Sequence, residues 1–187
     1  MNKKYEINEL PLGALVPFKN HPFKVIENEE LTALAQSIKE SGVLVPALAR
    51  PAGDRYELIS GHRRLAACKL LGLPTIPVIV RDLSNAEAII TMVDTNLQRE
   101  HILPSEKAFA YKMKMEAMKH QGKTSRQVGT MSRTDEEIAK ESKDSARQIQ
   151  RYIRLTNLIP EILDMVDNKE IALTPAVELS YLTQWEQ

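Results

Sequence analysis

Residues 59–65, "ISGHRRL", put a glycine, a histidine and two arginines at the junction between an extended stretch and a helical one. A glycine at such a turn lets backbone approach a ligand closely, and the helix behind it aims unsatisfied N–H groups at whatever lies there. Two cations in a first helical turn oppose the helix dipole. They fit if a phosphate neutralises both Arg63 and Arg64 beside Gly61. The competing explanation is surface arginines paired with nearby acids. A second group closes the next helix: in "TNLQRE", Thr95, Asn96 and Arg99 are polar, and Asn96 and Arg99 are spaced i, i+3 so that both can face one ligand. An ordinary helix C-terminus, where arginine is welcome, explains the same residues.

A third group has the spacing of a helix-turn-helix. In "DEEIAKESKDSARQIQRYIRL", Ile138 and Ala139 face Ile149 and Tyr152 where two helices would cross. The second helix then exposes Arg147, Gln148, Gln150, Arg151 and Arg154, behind Ser145. Arginine and glutamine suit bidentate contacts with guanine and adenine edges. Lys143, Arg151 and Arg154 suit phosphates, and Arg126, from a basic stretch upstream, joins the DNA-contacting set. Ser142 stands where such motifs usually pack an apolar residue, and Lys143 where the turn usually has glycine. A plain amphipathic helix pair is the alternative.

The elements that must position these groups divide the chain in two. Up to about Asp82 the pattern is mixed α/β: strands at "YEIN", "LVPF", "VPALARP", "RYELIS" and "TIPVIVRD", a helix at "NEELTALAQSIKESG" stopped by Gly42, and the Gly61 turn between two strands. From Ser84 onward it is helical. Ser84 and Glu87, Thr134 and Glu137, and Ser145 and Gln148 have capping-box spacing, and Pro104 suits a first helical position. Ala108, Tyr111, Met115 and Met118 line one side of the helix behind Pro104. Residues 122–133 lack periodicity and read as a loop. The expected division is residues 1–100 and 101–187, with the helix-turn-helix at 134–156. The fold class is α+β.

The 187 residues include one cysteine and four scattered histidines, so neither a disulfide framework nor a metal-ligand cluster is expected. No apolar run is long enough to span a bilayer and the start lacks the apolar core of a signal peptide, which predicts a cytoplasmic protein without membrane contact. Net charge is zero, yet Arg99–Arg154 holds 13 Lys or Arg against 8 Asp or Glu. That basic middle section points to a polyanionic partner, and solvated helix faces explain it equally well.

Taken in order, "ISGHRRLAACKLLGLPTIPVIVRDL", "TNLQREHILPSEKAFAY", the helix-turn-helix and "LIPEILDMVDNKEIALTPAVELSYL" resemble the ParB partition-protein family from about Tyr5 to Leu182. The resemblance implies a ParB/sulfiredoxin-like N-terminal domain followed by an all-helical DNA-binding domain. It implies CTP with Mg²⁺ as cofactor, held by Ser60, Gly61, His62, Arg63, Arg64, Thr95, Asn96 and Arg99. It further implies a centromere-like site on double-stranded DNA, a homodimeric clamp, a ParA-type partner ATPase, and a bacterial nucleoid- or plasmid-associated location. The family's C-terminal dimerisation domain is not among the matching segments.

The motifs also depart from the family's. His62 and Thr95 replace its two glutamates, with Asp94 one place before Thr95, and Ala66 replaces a third arginine. Nucleotide binding with at most weak CTP hydrolysis is therefore expected, and no catalytic residue is assigned. A helix-turn-helix transcription regulator without nucleotide switching is the alternative function. An enzyme like sulfiredoxin is a third, but that family's Cys before His-Arg is here Gly61, with Cys68 further along the helix.

Overall fold

A computed structural model describes residues 6–122 and 134–187. The expected loop from residue 123 onward, with Arg126, lies outside them. The chain divides into two compact units, Met1–Met92 and Val93–Gln187.

The first unit is built on a five-stranded mixed sheet of β1 (Ile7–Pro11), β2 (Leu15–Pro17), β3 (Ala47–Ala52), β4 (Arg55–Ser60) and β5 (Thr75–Val80), in the order β1-β5-β3-β4-β2. β1 starts later than "YEIN" suggests and runs to Pro11, because its antiparallel register with β5 places Leu10 opposite Ile76 and Pro11 opposite Thr75. β3 and β4 form an antiparallel hairpin, while β3 runs parallel to β5 and β2 parallel to β4. Two helices join the sheet's core: α1 (Glu29–Ser41) through Leu31, Ala35 and Ile38, and α2 (His62–Leu70) through Leu65, Ala67 and Cys68. Asn28 caps α1 by accepting the Leu31 amide at 3.1 Å, and Gly42 ends it at φ +71°.

α3 (Asn85–Leu97) crosses the division between the units. Its capping box forms as spaced: the Ser84 amide donates to Glu87 Oε2 at 2.9 Å and the Glu87 amide to Ser84 Oγ at 3.3 Å. The Ser84 hydroxyl, which donates to Glu87 Oε2 at 2.7 Å, and then the Ser84 amide hold the Glu87 carboxyl below its usual pKa.

The second unit is helical: α4 (Pro104–Gly122), α5 (Thr134–Glu141), α6 (Ala146–Arg154), a 3-10 turn at Leu155–Asn157, α7 (Pro160–Asp167) and α8 (Leu173–Leu179). α4 is its axis. Ala108 packs with Leu155, Ile162, Val166 and Val177, while Tyr111 packs with Ile138 and Ile149. The N-terminus of α4 is capped from a distance, since Asp167 accepts the Ser105 amide at 2.9 Å and its hydroxyl at 2.5 Å. Among the described residues no helix is long and apolar enough to cross a membrane.

Candidate functional site

Gly61 is the hinge between β4 and α2. It takes φ +106° and ψ 20°, a left-handed conformation that a side chain disfavours. A Cβ there would stand 2.9 Å from Ala47 Cβ and 3.2 Å from Ala47 Cα, so the turn is pressed against β3. Leu65 is the first residue to bond back into the helix, to the Gly61 carbonyl at 2.9 Å. The amides before it have no acceptor within α2. The first turn of α2 contains no acidic residue and Gly61 makes no side-chain cap. Helix starts left open in this way are where anions are commonly held.

The two arginines hold different positions there. Arg63 Nη1 lies 3.0 Å from Glu30 Oε2 in a pair open to solvent, as a surface explanation requires. Arg64 Nη1 donates to the carbonyls of Val45 and Pro46, the second at 2.7 Å. Burial lowers the Arg64 pKa from its usual value. A guanidinium already stripped of water binds an anion at smaller further desolvation cost. The segment before β3 is thereby tied to the α2 turn.

His62 is 9% exposed, and its ring lies 3.8 Å from that of His21, centroid to centroid. His21 Nδ1 is 2.7 Å from the Phe23 carbonyl. Ser60 ends β4, half-buried. Cys68 is fully buried, and burial, with Glu9 adding, pushes its thiol pKa up. A nucleophilic cysteine needs exposure and a lowered pKa, so Cys68 does not supply the thiolate that sulfiredoxin-like chemistry would use.

Thr95, Asn96 and Arg99 belong to the second unit. Thr95 is exposed, Asn96 is 3% exposed, and Arg99 lies past the end of α3 with its amide 3.1 Å from the Asn96 carbonyl. Arg99 and Glu100 line a cavity of about 380 Å³ together with Lys107, Tyr111, Lys143 and Asp144.

The turn between α5 and α6 is fastened to α4. Asp144 Oδ2 accepts from Tyr111 Oη at 2.6 Å and from Lys107 Nζ at 2.9 Å. Burial and the bond to Asp144 push the Tyr111 phenol far above its usual pKa. The Ser142 hydroxyl donates to the Asp144 carbonyl at 3.0 Å. Lys143, in the place of the usual glycine, has no positive φ, so this turn does not require one. Ser145 caps α6 by accepting the Gln148 amide at 3.2 Å.

On α6 the expected exposed set is corrected in part. Lys143, Ser145 and Arg147 are exposed, whereas Gln148, Gln150, Arg151 and Arg154 are half-buried. Gln150 Nε2 donates to the buried Asp135 at 3.0 Å. Arg154 donates to the Ser180 carbonyl at 2.6 Å, and its guanidinium lies 4.0 Å over the Tyr181 ring. Arg151 donates to Thr174 Oγ1 at 2.6 Å. Neighbouring helices cover positions that an isolated helical wheel leaves open.

Residues 1–97 match the model of the ParB N-terminal domain. The chain belongs to the ParB family. It is 36% identical over 162 residues to the chromosome-partitioning protein Spo0J of Thermus thermophilus, covering 87% of this chain and 55% of that protein. It is 40% identical over 124 residues to a probable chromosome 1-partitioning protein ParB of Deinococcus radiodurans, covering 66% and 43%. The chain thus spans about half the length of these curated relatives. A crystal structure of C-terminally truncated ParB from Caulobacter crescentus, complexed to the centromeric parS site, matches with a TM-score of 0.61 and 27% identity. That match covers 92% of this chain and 84% of that one. Asp94, one place before Thr95, has its carboxylate 2.5 Å from Lys114 Nζ. His62 is packed on His21.

Neither Lys114 nor Asp144 was a candidate on sequence grounds. Lysine on an amphipathic helix reads as its wet face, and an Asp in a turn reads as a local cap. The spacing of Lys114 three and four residues from Tyr111, Ala110, Ala117 and Met118 was the available signal.

Proposed function

We propose that this chain is a sequence-specific DNA-binding protein of the partition type, and that it takes CTP at the Gly61 turn. The observation that carries the nucleotide half is that turn. It joins a left-handed glycine pressed onto Ala47 to a helix start with no acid in its first turn and two guanidiniums. The family relationship supports the DNA half, with Arg147 exposed on α6 and Lys143 exposed at its turn.

In this proposal Ser60, Gly61, His62, Arg63 and Arg64 hold phosphates, and the family resemblance assigns Thr95, Asn96 and Arg99 to the nucleotide as well. Arg63 exchanges Glu30 for the anion. A triphosphate supplies the negative charge that the first turn of α2 omits and brings Mg²⁺ on its own oxygens. Among the described residues no group of three or more His, Cys, Asp or Glu could hold a metal ion. With His62 and Thr95 where the family resemblance implies carboxylates, and Asp94 engaged by Lys114, CTP is bound with at most weak hydrolysis. Arg147, Ser145 and Gln148 read bases, and Lys143 and Arg151 meet phosphates. The working form is a homodimeric clamp on a centromere-like site, served by a ParA-type ATPase in a bacterial cytoplasm.

Titration calorimetry with CTP, the other nucleoside triphosphates and Mg²⁺, with and without a duplex carrying parS, tests the nucleotide half. CTP alone should give saturable heat, and Arg63→Ala should weaken it at least tenfold. No heat with CTP under either condition refutes it. Recovery of cellular DNA bound to the protein tests the other half. Discrete sites with spread flanks support a clamp, and a single promoter peak supports a regulator.

A further inference from the structure

Lys114 is the one lysine among the fully buried side chains of the described residues, 1% exposed in the middle of α4. Removing an ammonium from water costs several kcal/mol unless partners offset it. Two do: Asp94 Oδ1 at 2.5 Å and Glu141 Oε2 at 2.7 Å. Both carboxylates are at the rim, 42% and 64% exposed, so the cation is buried and its partners reach in to it.

The partners' places in the chain give the cluster its meaning. Asp94 directly precedes Thr95, at the start of the segment assigned to nucleotide, and Glu141 is the last residue of α5, the first helix of the helix-turn-helix. All three residues lie within the second unit. The cavity of about 380 Å³ brings the same two places together a second time, with Arg99 and Glu100 as well as Lys143 and Asp144 in its lining. A shift of the Thr95–Arg99 segment that carries Asp94 with it must either take α5 along or leave a buried ammonium short of a partner. The second course is costly.

We propose that Lys114 is a positioning residue that couples the Thr95–Arg99 segment to the helix-turn-helix, so that CTP and duplex change each other's affinity through it. This rests on the nucleotide and DNA assignments above. Lys114 touches neither ligand. Its effect is confined to the ratio between CTP affinities measured with and without duplex, and linkage makes that ratio equal in both directions.

The test measures that ratio on the 187-residue chain by calorimetry, with CTP and a duplex carrying parS, for wild type, Lys114→Met, Lys114→Arg and Glu141→Gln. Wild type should show a ratio of about 5 to 150, the ordinary range of allosteric coupling. Lys114→Met should bring it to within about twofold of one, while either ligand measured alone changes by less than about threefold. Lys114→Arg should restore most of it. A merely structural lysine would weaken both ligands and leave the ratio unchanged. If Lys114→Met does not fold, Glu141→Gln, which leaves Asp94 in place, carries the test. Its ratio should fall at least about threefold. An unchanged ratio in folded variants that bind both ligands overturns the inference and leaves the proposed function standing. A wild-type ratio of one also overturns it. Failure of wild type to bind CTP at all overturns the nucleotide assignment, and the coupling with it.

Discussion

Replacing Gly61 by alanine perturbs two separable quantities at the centre of the turn proposed to hold phosphate. The first is backbone strain. At φ +106° an L residue is outside its favoured wells, and left-handed strain costs about 1–2 kcal/mol. The second is steric. The new Cβ would be 2.9 Å from Ala47 Cβ and 3.2 Å from Ala47 Cα, and Ala47 is fully buried on a central strand. The third neighbour, Arg64 Nη2 at 3.2 Å, is a side-chain tip and can move. Overpacking against a strand that cannot move freely costs about 1–3 kcal/mol. The sum is a destabilisation of about 2–5 kcal/mol in the first unit.

Gly72→Ala isolates the first quantity. Gly72 follows α2 at φ +65° with nothing within 4 Å of its would-be Cβ, so about 1–2 kcal/mol of strain is all it should lose. The assay is urea unfolding followed by circular dichroism, with amide exchange in β3 and β4 reporting on the first unit separately from the second. Gly61→Ala should lie at least about 1 kcal/mol below Gly72→Ala. Equal losses, within about 0.5 kcal/mol, would refute the close approach to Ala47 and remove the reason for glycine at that turn.

Other residues give sharper contrasts between binding and stability. Arg63→Ala should leave the melting temperature nearly unchanged, since its pair with Glu30 is solvent-exposed and worth about 0–1 kcal/mol. Arg64→Ala should lose CTP affinity and also about 1–3 kcal/mol of stability, because the Val45 and Pro46 carbonyls lose their donor; calorimetry and thermal melts together check both. Arg147→Ala should weaken a parS duplex by about 1–3 kcal/mol at constant stability. Arg154→Ala should instead lower the second unit's stability, by releasing Ser180 and Tyr181. The Glu87 carboxyl is held low by the Ser84 cap, so its contribution is full above the unfolded carboxylate range and lost as pH falls through the folded value. Carboxyl NMR titration should therefore find Glu87 below a free glutamate, and Ser84→Ala, which keeps the backbone donor, should return it part of the way. The Cys68 thiol is held high, so its contribution is present below the unfolded thiol pKa and lost as pH rises through the folded value. It should resist alkylation at neutral pH until the first unit unfolds.

Features encoded within a few residues were legible in the sequence. The Gly61 turn, the Ser84–Glu87 box and the Ser145 cap follow from spacings of one to three residues, and each forms as read. The helix crossing of Ile138 and Ile149 follows from apolar periodicity, and both are fully buried. The surface of α6 was not legible in the same way. Gln150 and Arg154 satisfy every rule for an outward-facing polar residue, yet partners 15 and 26 residues away take them.

Local composition thus determined where the chain turns, caps and begins its helices, because those choices depend on a residue and its near neighbours. It also placed two arginines at a helix start that only an anion or a distant partner could justify. Tertiary structure decided between uses of the same side chain. It paired Arg63 with Glu30 and turned Arg64 onto two carbonyls. It buried Lys114 between carboxylates that are 20 and 27 residues away, and it fastened the helix-turn-helix to α4 through Asp144. Each outcome depends on which elements meet in space, and a buried charge is tolerated only where that meeting supplies its partner.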